Sequence, residues 1–264
     1  MKKTISASLI LLFGSAALAA QEPKPEATSL LGQPLYATPV SEESRARLEE
    51  NLERAWAEYK KNPDDADAII WLGRRTAYLG RYRDTIAIFS EGIEKHPGDA
   101  RMYRHRGHRY ITVRELDNAI ADLEKAAELI AGQPDEVEPD GQPNPQNIPT
   151  STLQSNIWYH LGLACYLTGD FAHARFAYSE GLKVSKNDDM LVATANWLYL
   201  TVRRLGQEEE ALTLLARIRQ DMNIIENTAY HKLLLLHKGE LAPEDILAEA
   251  KTDLDRATLG YGVG

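Results

Sequence analysis

The sequence predicts an all-α protein built from repeated helix pairs. Gly73 of Trp71-Leu72-Gly73 and Gly107 of Arg106-Gly107 lie 34 residues apart, a spacing at which one helix-turn-helix unit recurs. Each glycine is followed by an aromatic residue (Tyr78, Tyr110) and then by a second apolar stripe at helical spacing. The stripe is Tyr82, Ile86, Phe89 and Ile93 in the first unit, and Leu116, Ala119, Ile120, Leu123 and Ala126 in the second. No stretch alternates polar and apolar residues for long, so a substantial sheet is not expected.

Taken in order, the first twenty residues stand apart. Lys2 and Lys3 precede an apolar run from Ile5 to Leu18, which ends in small residues, Ala16-Ala17-Leu18-Ala19-Ala20. That is the layout of a bacterial secretory signal, and the run is short for a bilayer span. Residues 1–20 are therefore expected to direct export to the periplasm or the medium, without stable membrane insertion. No cysteine sits at the cleavage point, which argues against a lipid anchor. Loss of Lys2 and Lys3 moves the net charge from −9 to −11, a balance that disfavours nucleic acid and anionic membranes. Residues 21–40, with scattered prolines, are expected as a flexible leader. Glu42–Lys61 reads as one amphipathic helix (Leu48, Leu52, Ala55, Trp56, Tyr59) that caps the stack, because a solenoid's end repeat otherwise exposes its apolar face.

The cap and two repeats occupy residues 41–131, with Pro97 stopping the first unit's second helix. A third unit begins near Ser155. Trp158, Leu161, Gly162 and the single cysteine, Cys165, mark its first helix; Phe171, Ala174, Tyr178 and Leu182 mark its second. The fourth unit (Ala195, Leu198, Val202, then Ala211, Leu215, Ile218) starts about three residues late, which predicts a displaced or lengthened first helix. A fifth pair, Tyr230–His237 and Pro243–Ala250, completes the segment 152–251. Residues 252–264 are expected as a loose tail, either a truncated repeat, since Val263-Gly264 matches Leu72-Gly73 and Leu161-Gly162, or a plain glycine-rich end.

The recurrence of small and large residues at fixed positions resembles the tetratricopeptide-repeat (TPR) family over roughly residues 66–133 and 155–225. That resemblance implies a right-handed superhelix of antiparallel helix pairs with a concave inner face. It speaks to fold and hardly to function. Tyr103–Tyr110, Ile148–Thr152 and Asn156–Gly162 further resemble a subgroup of exported bacterial TPR proteins, which adds nothing about chemistry.

Between the second and third units the period is interrupted by a proline-rich insert, residues 132–151, whose first half carries Asp135, Glu136, Glu138 and Asp140. Loops of this length are disordered linkers, ordered connections or functional segments. Here all three stay open, the functional version being that the acids fold back onto Arg101, Arg104 and Arg74. Ser151-Thr152-Leu153-Gln154 reads as a capping box that restarts the helix, with Gln154 closing on Ser151.

The second unit's first helix is basic in an acidic chain. Arg101, Arg104 and His108 share one face, and Arg74 sits one period before His108. The equivalent places one repeat later hold Tyr159 and Leu163, with Tyr166 nearby, so a groove running from basic to aromatic is expected. Arginine's planar fork suits carboxylates. These seven residues are the candidate site for a protein or peptide segment, acidic or bearing a C-terminal carboxylate. TPR domains that grip chaperone tails use Lys, Asn and Arg on inner faces; only general basicity matches here. Arg106, in a place usually apolar, is expected to snorkel or to pair with a buried carboxylate. His105 and His108 alone do not make a metal site. Signatures of metalloproteases, nucleophile elbows, redox pairs and phosphate loops are missing, so no enzyme activity and no cofactor are expected. The sequence thus points to an adaptor that holds a partner segment in its concave groove, with a structural subunit of an envelope assembly as the alternative.

Overall fold

Most helices begin where a side chain can close the first turn. In the computed structural model, which describes residues 24–264, Ser41 caps α1 (Glu42–Lys61) and Asp65 caps α2 (Ala66–Tyr78) by accepting from backbone N–H groups. Asp99 does the same for α4 (Ala100–Thr112), Asp170 for α7 (Phe171–Val184) and Asn187 for α8 (Asp188–Arg204). Thr152 and Ser155 form a reciprocal capping box on α6 (Leu153–Thr168), one residue further along than Ser151 and Gln154. Thr152 wins because Ser151 is taken up in pairing with the insert: its carbonyl accepts from the Glu138 N–H and its hydroxyl from Asn156. The remaining helices are α3 (Tyr82–Lys95), α5 (Leu116–Leu129), α9 (Glu208–Leu215), α10 (Thr228–His237), α11 (Pro243–Ala248) and α12 (Asp253–Val263).

Three pairs, α2/α3, α4/α5 and α6/α7, repeat one packing rule, and α8/α9 continues the stack without its glycine. A Cβ on Gly73 would lie 2.4 Å from Phe89, one on Gly107 2.8 Å from Leu123, and one on Gly162 2.5 Å from Tyr178. Each glycine therefore lets a large residue from the pair's second helix lie flat against the first, and Phe89, Leu123 and Tyr178 are fully buried. At the turn between paired helices the backbone is left-handed at Gly80, Gly169 and Gly206. The second repeat places Arg114 there at φ 66°, and its guanidinium bonds back to the carbonyls of Ile111 and Thr112. Helix α8 has 17 residues against 16 in α6 and 13 in α2 and α4, so lengthening supplies only part of the fourth unit's late start.

First helices touch first helices along the stack (α2 with α4, α4 with α6, α6 with α8, α8 with α10), and no comparable contact joins the second helices. The first helices therefore line the inside of the curve. Among the described residues no helix is long and apolar enough to cross a membrane. Residues 1–20, read as a secretory signal, lie outside the described residues.

Both ends carry more structure than the sequence suggested. Where a flexible leader is expected over residues 21–40, the described part, residues 24–40, holds a small hairpin, β1 (Ala27–Thr28) with β2 (Pro34–Leu35), docked on the α2–α3 turn. Glu26 accepts from the Arg83 N–H at 2.9 Å, Ala27 is buried, and Ala37 sits close against Gly80. Instead of a loose tail, residues 253–263 form α12, opened by a Thr252–Asp255 capping box and seated on α10 and α11. Leu259 and Gly262 are buried there, with Gly262 directly against Leu233. The apolar pair Leu233 and Ile246 supplies the surface that a lone helix needs.

Candidate functional site

The insert crosses the concave face as a strap. It leaves α5 through the left-handed Gly132 and runs antiparallel to the start of α6: Leu153 N–H donates to Glu136, and Glu138 N–H to Ser151. It then meets the basic helices. The Glu138 carboxylate lies 3.0 Å from Arg104 Nε, with side-chain exposures of 11% and 7%, and accepts from Asn156 Nδ2 at 3.2 Å. Arg74 donates to the Pro139 carbonyl and Arg75 to that of Gly141, both at 2.7 Å. Gly141 packs on Tyr78 so closely that a Cβ would stand 1.9 Å from its hydroxyl.

The return leg is anchored at the other end of the groove. Asn144 Oδ1 accepts from the Gln146 and Ile148 N–H groups, shaping a turn, and its Nδ2 reaches Glu226. Glu226 also accepts from Thr150 at 2.5 Å, while Asn187 donates to the Thr150 carbonyl. Glu226 is held in place by Asp189, a buried carboxylate on α8 that accepts from the N–H groups of Ile225, Glu226 and Asn227 at 2.6–2.9 Å. Apolar burial contributes little to the strap: Val137 and Ile148 are exposed. Polar contacts hold it.

Of the insert's four acids, only Glu138 pairs with one of the expected arginines. Asp135 pairs with Lys186 and accepts from the Gln154 N–H. Burial and the neighbouring Glu226 push the Asp140 carboxyl up, against the pull of Arg74. Arg101, although beside the strap, spends its guanidinium on Asp99 and Asp67, each at 2.6 Å.

Beneath the strap, α4 presents Arg104, His105, His108 and Arg109. Arg104 donates to Nδ1 of His105 (3.0 Å) and faces Nδ1 of His108 (3.4 Å), so both rings accept on that side and are neutral. Burial first, and the surrounding arginines second, push both histidines well below their usual range. His108 lies 4.1 Å from the His160 ring, whose Nδ1 donates to the Asn156 carbonyl and whose pKa is lowered to about 3 by burial and Arg104. A guanidinium thus occupies the Nδ1 side of two of these rings, where a metal cation would have to sit. Among the described residues no cluster of metal-ligating side chains is found.

Towards α10 the inner face turns aromatic. Trp197 Nε1 donates to the Tyr159 hydroxyl at 3.0 Å, and that hydroxyl lies 3.3 Å from Tyr230. Tyr166 and Tyr261 share a hydroxyl hydrogen bond of 2.8 Å across the curve, with Trp197 against both rings. Leu163 packs half-buried at the base of this wall.

A family model described as tetratricopeptide repeat matches residues 155–188, the α6/α7 unit. The solved structure of YrrB, "a TPR protein with an unusual peptide-binding site", is 14% identical, covering 80% of this chain and 99% of that one with a TM-score of 0.51. A crystal structure of MamA is 16% identical over 76% of this chain and 90% of that one, with a TM-score of 0.50. No curated protein matches the sequence. The chain folds as a TPR-type solenoid.

Along that solenoid the seven residues read from sequence lie on the inner face in the expected basic-to-aromatic order. Arg74, Arg101, Arg104 and His108 gather beneath the strap; Tyr159, Leu163 and Tyr166 lie beyond it. Sequence reasoning missed Arg75, Tyr78, His105 and Arg109, which the strap and the curvature bring in, and the aromatic trio Trp197, Tyr230 and Tyr261. The trio carried a signal: each lies on a first-position helix, about one repeat from the next. Arg106 stands off the groove, paired with the buried Asp122 through two bonds of 2.7 Å. Cys165 is buried, its thiol pushed up to about 12 by burial, which makes it inert.

Proposed function

We propose that this protein is an exported, non-catalytic adaptor that seats an extended, acidic segment of a partner polypeptide across its concave face, in competition with its own strap. The observation that carries this reading is the strap itself. An extended Glu-Pro-Asp-Gly stretch lies on the inner face with its carboxylate on Arg104 and its carbonyls on Arg74 and Arg75. Those are contacts any acidic peptide of similar backbone shape can make, since arginine reads carboxylates and carbonyls alike. A strap held by polar contacts with exposed apolar side chains is also displaceable, because few apolar groups have to be pulled into water.

The test uses Gly141→Val, which pushes the strap off Tyr78 and leaves every charge in place. A fluorescent peptide with the sequence of residues 135–142 should bind the variant at least tenfold more tightly than the parent, and more weakly as salt rises. The same peptide with Asn and Gln in place of its acids should bind neither. Equal binding of the charged and neutral peptides would sink the reading. For export, Lys2, Lys3 and the apolar run to Leu18 are the support, and cell fractionation with N-terminal sequencing of the product is the check.

A further inference from the structure

Under the strap lies a cavity of about 120 Å³ lined by Arg74, Tyr78, Arg104, His105, His108, Arg109 and Glu138. Its charges do not balance. Three guanidinium groups face one carboxylate, and Glu138 is already engaged by Arg104 and Asn156. Arg74 has the Pro139 carbonyl and the Trp71 ring for company, neither of which neutralises it. Arg109 has less. Its guanidinium stands over the Tyr82 ring at 5.6 Å, and among the described residues no carboxylate or carbonyl accepts from it. Burial and Arg104 together push it down to about 10, the direction expected of a cation lacking a counter-charge.

The histidines add donors rather than acceptors. Their Nδ1 atoms accept from Arg104, so the proton of each neutral ring sits on Nε2, and no acceptor takes it among the described residues. Buried Arg104 Nε likewise lacks a well-directed hydrogen-bond acceptor. The pocket is therefore rich in N–H groups and poor in oxygen atoms, with an excess of positive charge on one buried arginine, Arg104, and two half-buried ones, Arg74 and Arg109. An uncompensated buried charge is costly, and a bound anion relieves it. At about 120 Å³ the space is far below the roughly 300–1,000 Å³ of organic-ligand pockets, but it accommodates a group the size of phosphate or a short carboxylate.

We propose that this cavity is a binding site for a small, multiply charged oxyanion, held by Arg74, Arg104 and Arg109 beneath the strap. The occupant enters beside the strap and completes the charge of the basic cluster; it shares Arg74 and Arg104 with the peptide groove, and Arg109 is the residue that it alone uses. Phosphate and small dicarboxylates share this chemistry.

Calorimetric titration with inorganic phosphate and, separately, succinate distinguishes them, against sodium chloride at matched ionic strength. Phosphate also stabilises proteins generally by exclusion from their surfaces, so saturation and dependence on Arg109 are the deciding features. One ion should give a saturable heat and a melting temperature that climbs with the logarithm of its concentration. Arg109→Gln should abolish both. Without the ion that variant should melt no lower than the parent, because it removes a cation that has no partner; a purely structural arginine would give the opposite. Arg109→Lys keeps the charge without the fork and should retain less than a tenth of the affinity. Heats no larger than chloride's for both ions, or an unchanged response in Arg109→Gln, would overturn the proposal. Binding of the acidic peptide but of neither ion would overturn it too, and would assign the arginines to the peptide groove alone.

Discussion

Phe89 lies flat where Gly73 leaves room for it, stacks its other edge near His105 at a ring separation of 5.4 Å, and is fully buried. Phe89→Ala should therefore cost about 3–5 kcal/mol, the lost transfer energy plus a cavity that the stacked helices cannot collapse. Urea unfolding gives the number, and a midpoint like the parent's would show that the assigned helix face is wrong. Contacts of this kind were legible in the sequence because they recur: the glycine and its large partner stand sixteen residues apart in all three units. Gly141 was not legible. It meets Tyr78 across the groove, in a segment outside the repeat, and no periodicity links the two positions. Arg114 shows the converse, a left-handed turn position hidden because an arginine stands where the other units have glycine.

At the scale of elements, the helices and their order could be read from the 3.6-residue stripes, whereas the strap, the hairpin and α12 could not. Each of those three is fixed by what it lies on. The strap needs Arg74, Arg104 and Glu226, brought together only by the curvature; the hairpin needs the α2–α3 turn; α12 needs the apolar surface of α10 and α11. The candidate site divides the same way. Its basic stripe follows from helical spacing on α4, but its shape depends on a strap whose course no local pattern encodes. Helix α12 offers a direct check. Ending the chain before Thr252 uncovers Leu233 and removes the Tyr261–Tyr166 hydrogen bond. Burial of one leucine-sized side chain contributes roughly 1.5–3 kcal/mol, so the shortened protein should lose at least about 2 kcal/mol. Hydrogen exchange on the intact chain should show slowed amides at Tyr261–Val263. Exchange there as fast as in an unstructured peptide would mean that α12 does not hold.

Across the whole molecule the inner face concentrates ionisable groups that the fold keeps uncharged, and this makes stability depend on pH in a defined window. His105 and His108 on α4 and His160 on α6 are all held below the usual histidine pKa, His160 at about 3, by burial among Arg74, Arg104 and Arg109, with Glu138 of the strap as the nearest opposing charge. His237, stacked on Tyr199, is lowered for similar reasons, burial and Arg203. In the unfolded chain these rings protonate near pH 6.5. A depressed folded value means that the unfolded state binds more protons below that pH, so stability is full above about 6.5 and falls as the pH drops towards 3. Each such ring contributes a slope of up to about 1.4 kcal/mol per pH unit. Exposed carboxylates with lowered values, Glu240, Glu249 and Asp255, also favour the folded state. Their contribution is lost only as the pH falls through and below the ordinary carboxylate range of about 4. From pH 6.5 to 5 the histidines dominate, opposed by Asp122 and Asp140, whose values are raised by burial and which therefore favour the folded state as the pH falls. Urea midpoints should decline steadily across that interval. His160→Asn, which can still donate to the Asn156 carbonyl, should flatten that decline by about one proton's worth. A parent protein equally stable at pH 6.5 and pH 5 would mean that the three inner-face rings accept protons without disturbing the fold, and that the arginines do not hold them neutral.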